Sequence, residues 1–160
     1  MAFPTPLVAK SPLPVLTLCG TSGQSIAGDT IMSTTEDLEL LKAAIAVAMA
    51  DGELRRSEKG VIEGLALRAG VGRTSFEAMV EAAARGDSIA DNILISSKDR
   101  AHSALELLVA QARIDGQISS KEREVLVRIA TSLKITGDEF QQLYEAGIRR
   151  ADRLRRDRKT

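Results

Sequence analysis

Four carboxylates in two matching frames are the residues of this sequence whose types and spacing could do chemistry. Asp51 and Glu58 lie in "MADGELRRSE", and Asp115 and Glu122 lie in "RIDGQISSKE" in the second half of the chain. Each frame reads Asp-Gly, an aliphatic residue two positions on and a glutamate four beyond that, as in the second half of a calcium-binding EF-hand loop. Carboxylate oxygens suit hard cations such as Ca²⁺ and Mg²⁺. The frames therefore indicate a metal site or a structural turn.

A complete EF-hand loop is excluded by the residues upstream of each aspartate. Such a loop also takes oxygens from its first and third positions, because calcium needs six to eight of them. Those positions hold Val47 and Met49 in the first frame, and Gln111 and Arg113 in the second. Apolar side chains and a cation cannot serve as ligands, so neither frame can hold calcium by itself.

Every residue type in the frame also has a structural role that needs no ion. Gly52 and Gly116 can adopt the left-handed conformation that closes a helix. Aspartate tolerates such turns and can bond to its own backbone. Glu58 and Glu122 fall in the first turn of the following helix, where the helix dipole favours negative charge. This structural alternative stays open beside the metal site.

The two frames belong to a longer internal repeat, in which one constant offset, that from Asp51 to Asp115, applies throughout without a gap. Apolar positions match on both sides of the frames, and Phe76 matches Phe140. Each copy predicts helix, Asp-Gly turn, helix, short turn and helix, with repeat one at residues 36–86 and repeat two at 98–150.

Capping-box spacing marks two of the predicted helix starts, at Ser33 with Glu36 and at Ser119 with Glu122. The connecting residues 87–96 predict a short helix of their own. We therefore predict an all-α bundle of about seven helices, built from two three-helix repeats.

Composition agrees with helices packed through small aliphatic residues. Hydrophobic residues make up 44% of the chain and aromatic residues only 2%, which favours helix packing over a β-sandwich. Residues 1–33 hold all four prolines and show no periodicity. They predict a disordered N-terminal segment before a helical domain at 34–152, with Met32 as an alternative start.

The formal net charge of zero hides an acidic body and a basic end. Residues 149–159 carry seven basic and two acidic side chains, a local +5, and residues 1–148 carry 15 basic against 20 acidic, or −5. The basic tail at 153–160 could attract an anionic membrane surface, a protein or phosphates. Because no aromatic residues are interleaved, specific nucleic-acid binding is not expected.

Cysteine usage and hydropathy predict a cytoplasmic protein, with the membrane surface as a place of peripheral attachment. Cys19 is the only cysteine, so no intrachain disulfide can form. No apolar run approaches the ~20 residues needed to span a bilayer.

The duplicated frame resembles the TerB-like tellurite-resistance family. The likeness lies in an Ala-rich helix ending in "ADG", a helix opening with Ser or Glu and a glutamate, an aliphatic run and a short hydrophobic turn. It reads "AVAMADGELRRSEKGVIEGLALRAGV" and, less closely, "VAQARIDGQISSKEREVLVRIATSLKI". It covers residues 36–150. The resemblance implies an all-helical bundle, a non-enzymatic role in resistance or stress response, and a site of acidic residues for metal.

Two hypotheses follow for the acidic frames. In the first, the copies pack around a pseudo-twofold axis, and a divalent ion of the Ca or Mg type binds Asp51, Glu58, Asp115 and Glu122. In the second, nearby cations neutralise these carboxylates, and the domain is a structural scaffold that recognises other proteins; the cations are Arg55, Arg56, Arg113 and Lys121. No arrangement supports catalysis, since His102 is the only histidine and has no nucleophile or second ligand in a recognisable pattern.

Overall fold

The computed structural model describes residues 34–158, and its regular structure is helical throughout that range. Six α-helices follow one another: α1 (Thr34–Ala48), α2 (Arg56–Arg68), α3 (Arg73–Ala84), α4 (Lys98–Ala112), α5 (Ser120–Ser132) and α6 (Gly137–Asp157). A 3₁₀ turn at Met49–Asp51 follows α1. The described residues contain no strand, so the predicted all-α class is confirmed. The predicted disordered segment at 1–33 lies outside the described residues.

The predicted seventh helix at 87–96 is wrong: this stretch is a run of turns and bends. Three of its backbone N–H groups are bound by side chains from other elements instead of by carbonyls four residues back. Ser96 N donates to Glu36 Oε1 at 2.9 Å, Leu94 N to Glu39 Oε2 at 3.4 Å, and Ile93 N to Ser132 Oγ at 3.3 Å. Because each backbone N–H supplies one donor, bonds to distant side chains take the place of helical bonds.

Helix starts recur at the spacing of the sequence frames. The pairs Thr34 and Lys98, Arg56 and Ser120, and Arg73 and Gly137 each have the same offset as the two aspartates of the frames. The last pair differs in length, because α3 has 12 residues and α6 has 21. Residues 153–157 of the predicted basic tail therefore continue α6.

The centre of the bundle is α1, which packs against α2, α3, α4 and α5. Its Ala-rich sequence lets neighbours approach from several sides. The α1 side chains with at most 2% of their surface exposed are Leu40, Leu41, Ala43, Ala44, Ile45, Val47 and Ala48. In the described chain the aromatic-poor core predicted from composition is also observed, since Phe76 is its one buried aromatic residue. No described helix is both long enough and apolar enough to cross a bilayer.

The longest helix, α6, lies alongside α4 and runs in the same direction. Lys98 Nζ near the start of α4 lies 2.7 Å from Glu139 Oε1 near the start of α6. At the other end, Arg113 Nε lies 3.7 Å from Asp152 Oδ1. Gly147 is buried against α4, and a Cβ atom added there would lie 2.6 Å from Val109 Cβ. The two helices therefore touch through a residue with no side chain.

We predict that Gly147→Ala lowers the free energy of unfolding by about 1–3 kcal/mol, because the added methyl overpacks the α4–α6 contact. The control is Gly64→Ala in α2, where an added Cβ meets nothing within 4 Å. That change should stabilise by up to about 1 kcal/mol, since alanine is the better helix former. Urea denaturation measures both. Equal effects of the two substitutions would contradict the close contact.

Candidate functional site

The two acidic frames form sharp corners between helices. We call residues 49–58 the first corner and residues 113–122 the second corner. Gly52 and Gly116 both have positive φ angles, +89° and +108°. Gly52 N donates to Met49 O at 2.9 Å, and Gly116 N donates to Arg113 O at 2.8 Å. Both glycines thus adopt the predicted left-handed conformation, but only Gly52 caps a helical element, the 3₁₀ turn after α1; α4 is capped by Arg113, and Gly116 lies in the turn beyond it.

The fold places the two corners side by side, with reciprocal hydrogen bonds between them. Ser119 Oγ of the second corner donates to Asp51 Oδ1 of the first at 3.1 Å. Ser57 Oγ of the first corner donates to Asp115 Oδ1 of the second. Each aspartate therefore accepts a hydroxyl from the opposite half of the chain.

One guanidinium, that of Arg55, lies between the two aspartates. Arg55 Nη2 is 3.4 Å from Asp51 Oδ2, and Nη1 is 3.5 Å from Asp115 Oδ2. Burial acts to lower the pKa of Arg55, but the charges of Glu122, Glu58 and Asp115 outweigh it and raise that pKa above its usual value. All four carboxylates predicted as metal ligands thus act on this one cation.

The two glutamates of the corners are buried at the starts of equivalent helices. Glu58 and Glu122 are each 1% exposed. Glu122 Oε2 accepts from Ser119 N at 2.6 Å, and Ser119 Oγ accepts from Glu122 N at 3.1 Å, so the predicted capping box is confirmed. Glu58 Oε2 accepts from Arg55 N at 3.2 Å, which gives the first corner half of the same motif. Each carboxylate therefore uses one oxygen to begin a helix.

The other oxygen of Glu58 has no such use. Glu58 Oε1 is buried and has no hydrogen-bond partner among the described residues. The pKa of Glu58 is raised from 4.5 to about 7, chiefly by burial and also by the charges of Glu122 and Asp115, against the lowering effect of the bond from Arg55 N. Two buried carboxylates close enough to repel each other favour a proton or a cation on one of them.

The arrangement is not a ready-made metal site. Within residues 34–158, no group of three or more His, Cys, Asp or Glu side chains is placed to hold one ion. Both aspartates are engaged with Arg55 and hydroxyl groups, and each glutamate is engaged with a helix start. The Arg55 guanidinium lies between the two aspartates, so an ion bound by both of them would have to displace it.

Solvent can reach this guanidinium through an open cleft of about 520 Å³ beside the second corner. Its lining includes Arg55, Asp115, Ser119 and, from the end of α6, Arg155. Arg155 lies over Gly116, where an added Cβ would be 3.4 Å from its Nη1. The cleft therefore exposes one aspartate and two arginines, while both glutamates stay buried behind them.

From the sequence, Arg55 is one of four cations near the frames, and nothing distinguishes it from the other three. Arg113, another of the four, donates instead to Gly116 O in its own corner. Ser57 is not anticipated at all, because its partner Asp115 is 58 residues away in the chain. The available signal is the asymmetry of the repeat, since Arg55 stands where the second copy has Ser119. One corner thus supplies the cation, and the other supplies a hydroxyl in its place.

Comparison with models of known families, with curated proteins and with solved structures finds no match for the chain. The resemblance to the tellurite-resistance family therefore rests on the duplicated motif alone and stays a prediction.

We predict that stability depends on pH through Glu58. The folded protein binds this proton more tightly than the unfolded chain. The stabilisation that the proton on Glu58 gives the folded state is therefore complete below pH 4.5 and is lost as the pH rises through about 7. Glu58→Gln removes the dependence, so its stability relative to the wild type should increase from pH 5 to pH 8 in urea titrations.

The matched control is Glu53→Gln, which removes a carboxylate from the exposed side of the same corner. Parallel pH profiles for the wild type and Glu58→Gln would show that Glu58 does not hold a proton in the folded state.

Proposed function

We propose that this chain is a non-enzymatic helical module of the tellurite-resistance or stress-response kind, which acts through protein partners in the cytoplasm. Its paired corners brace the two halves into one rigid body. The observation that carries the proposal is that Arg55 contacts both Asp51 and Asp115, one from each half of the chain, while the charges of Glu58 and Glu122 raise its pKa. Contacts that join the two halves in this way are expected of a scaffold.

Gene duplication is part of the proposal. It is supported by the common offset of helix starts in all three pairs and by the contact that brings the equivalent residues Asp51 and Asp115 onto one guanidinium. A duplicated unit that packs against its own copy places equivalent groups on both sides of one contact. The two acidic corners meet for that reason.

The contacts that Arg55, Ser57 and Ser119 make with the two aspartates, which we call the brace, contribute modestly to the free energy of unfolding. Their larger effect is on the relative position of the two corners. Exposed ion pairs with distances near 3.5 Å contribute about 0–1 kcal/mol each, and each hydroxyl bond contributes about 0.5–1.5 kcal/mol. Because these contacts either join distant parts of the chain or close the local turn, they fix where α2 and α5 begin relative to each other.

Binding of a divalent cation is the second candidate function, and the unpartnered Glu58 Oε1 favours it. Arg55 is held through long contacts, and 43% of its side chain is exposed. A doubly charged ion could replace it at little cost in lost pairing. Asp51, Glu58, Asp115 and Glu122 would then supply the carboxylate oxygens.

We predict that Asp51→Ala with Asp115→Ala lowers the free energy of unfolding by about 1–3 kcal/mol without any added metal, because the cross-corner bonds are lost. Asp87→Ala, which removes only an exposed pair with Arg85, should change it by less than about 0.5 kcal/mol. Chemical denaturation in chelator measures both. Equal effects would contradict the brace.

Thermal melting with Ca²⁺, Mg²⁺, Mn²⁺ or Zn²⁺ separates the two candidates, because a ligand selective for the folded state raises the melting temperature. The brace predicts no rise for the wild type. A rise that Asp51→Asn with Asp115→Asn abolishes would replace the brace with the cation site.

Arg55→Gln provides the sharper version of this test, with its neighbour Arg56→Gln as the matched control. Removing Arg55 leaves the four carboxylates without their counter-charge, so this variant should be the less stable of the two. If the corners can hold a cation, divalent ions should stabilise Arg55→Gln more than Arg56→Gln, because in Arg56→Gln the ion still has to displace Arg55. If no ion stabilises Arg55→Gln, the second candidate is eliminated.

A further inference from the structure

An apolar groove of about 370 Å³ lies between α2 and α3. Its apolar lining residues are Ala66, Leu67, Val71 and Phe76, and its exposed charged residues are Lys59, Glu63, Arg73 and Glu77. Leu67 is 82% exposed, the highest fraction among the large apolar side chains of residues 34–158. The groove therefore has apolar surface that the described part of the chain does not cover.

The charged residues of the groove neutralise each other. Lys59 Nζ lies 3.8 Å from Glu63 Oε1 in α2, and Arg73 Nε lies 2.9 Å from Glu77 Oε1 in α3. Each pair lies within one helix, so the rim has no net charge. A charged occupant would lose its contacts with water and gain no partner here. The groove therefore favours an uncharged apolar segment.

The fold itself does not require a leucine at position 67. The second repeat has Thr131 at the equivalent position, where it is exposed and its hydroxyl donates to Val127 O at 2.8 Å within α5. The equivalent helix thus forms with a polar residue there. Because Leu67 adjoins an apolar groove and does not stand alone on the surface, its exposure indicates a binding surface.

An uncharged apolar segment precedes α1 in the same chain. Residues 11–28 contain no Asp, Glu, Lys or Arg. Four of the large apolar residues in this stretch fall within six positions, and they are Leu13, Val15, Leu16 and Leu18. This segment has the chemistry that the neutral rim and the apolar lining of the groove favour.

The start of α1 brings this segment within reach of the groove. Asp37, in the first turn of α1, lies 3.1 Å from Arg68, the last residue of α2. Residues 19–33 connect Leu18 to Thr34, and an extended chain of that length spans up to about 50 Å. Helix α2 is only about 20 Å long. The tether is therefore long enough, and it keeps the segment at a high effective concentration near the groove.

The outward side of α2 leaves a path from the start of α1 to the groove. Successive residues of a helix are turned by about 100°, which places Gly64 and Gly60 between Arg68 and Leu67 around α2. Both glycines are exposed, and an added Cβ would meet no atom within 4 Å at either of them. The chain can cross α2 there without meeting a side chain.

We propose that residues 13–18 of this chain dock in the groove between α2 and α3, with their apolar side chains against Leu67 and Val71. This docking depends on neither the brace nor a cation, so it and the proposed function can fail separately.

The thiol of Cys19 gives a direct test in the full chain, because it is the only native thiol and it follows Leu18. Glu63→Cys adds a second thiol at the groove, and Arg68→Cys adds one on the other side of α2, beside the start of α1. The two replaced side chains are 53% and 55% exposed, so the new thiols are matched in access. In a buffer of oxidised and reduced glutathione, we expect the effective concentration of Cys19 to be about tenfold higher for Glu63→Cys than for Arg68→Cys. Mass spectrometry of the intramolecular disulfide measures it.

A segment that does not dock would favour Arg68→Cys or show no preference, since Arg68 is nearer to the start of α1. Either result would overturn the proposal. Disulfide-linked dimers in place of the monomeric product would also overturn it, because the groove would then hold a second copy of the chain.

Further changes, each combined with Glu63→Cys, identify the side chains that hold the segment. Leu67→Thr installs the residue of the second repeat, so α2 should be kept while the tenfold preference is lost. Replacing four apolar residues of the segment by serine should also abolish the preference, whereas replacing three apolar residues nearer the start of the chain should not. The four are Leu13, Val15, Leu16 and Leu18, and the three are Phe3, Leu7 and Val8. A preference that survives Leu67→Thr would contradict docking in this groove.

Discussion

Two buried glutamates whose charges repel each other are the constraint that the centre of this structure must satisfy. Glu58 and Glu122 are placed at the beginnings of α2 and α5 because each closes its helix start, yet like charges in a buried setting repel. The positive charge of the Arg55 guanidinium offsets part of this repulsion, and the raised pKa of Glu58 means that a proton can offset more of it. Of the four negative charges near the corners, the Arg55 guanidinium and a proton on Glu58 together offset two. Any ligand of the corners has to compete with both.

The corners meet because the helices that lead into them match in length and run side by side in the same direction. Helices α1 and α4 both have 15 residues, and Gln111 Nε2 of α4 donates to Ala44 O of α1 at 3.2 Å. At the opposite end, Glu36 of α1 pairs with Arg100 of α4 at 2.5 Å. The two helices are thus fastened to each other both at the corners and at their starts.

Local signals in the sequence were sufficient for the parts of the site that local chemistry decides. The capping box at Ser119 and the left-handed Gly52 and Gly116 follow from residue types at short spacing. The partners of Glu36 were not foreseen: Ser96 lies far along the chain, and Arg100, although it has the same offset from Glu36 as Asp115 from Asp51, is paired with it by the packing of α1 against α4. The helix predicted at 87–96 does not form for the same reason, because three of its backbone N–H groups donate to side chains that are distant in the sequence. The choice of Arg55 over three other cations depended on packing that only the folded chain reveals.

Segments without regular structure usually tolerate insertions and serve as hinges. The stretch at 87–96 differs, because Glu36 and Glu39 of α1 and Ser132 of α5 bind its backbone at three points. An insertion or deletion in this stretch would therefore disturb its hydrogen bonds, as one within a helix would. A hinge motion in the middle of the chain would have to break these three bonds, so they hold the two halves together even though the path between them is irregular.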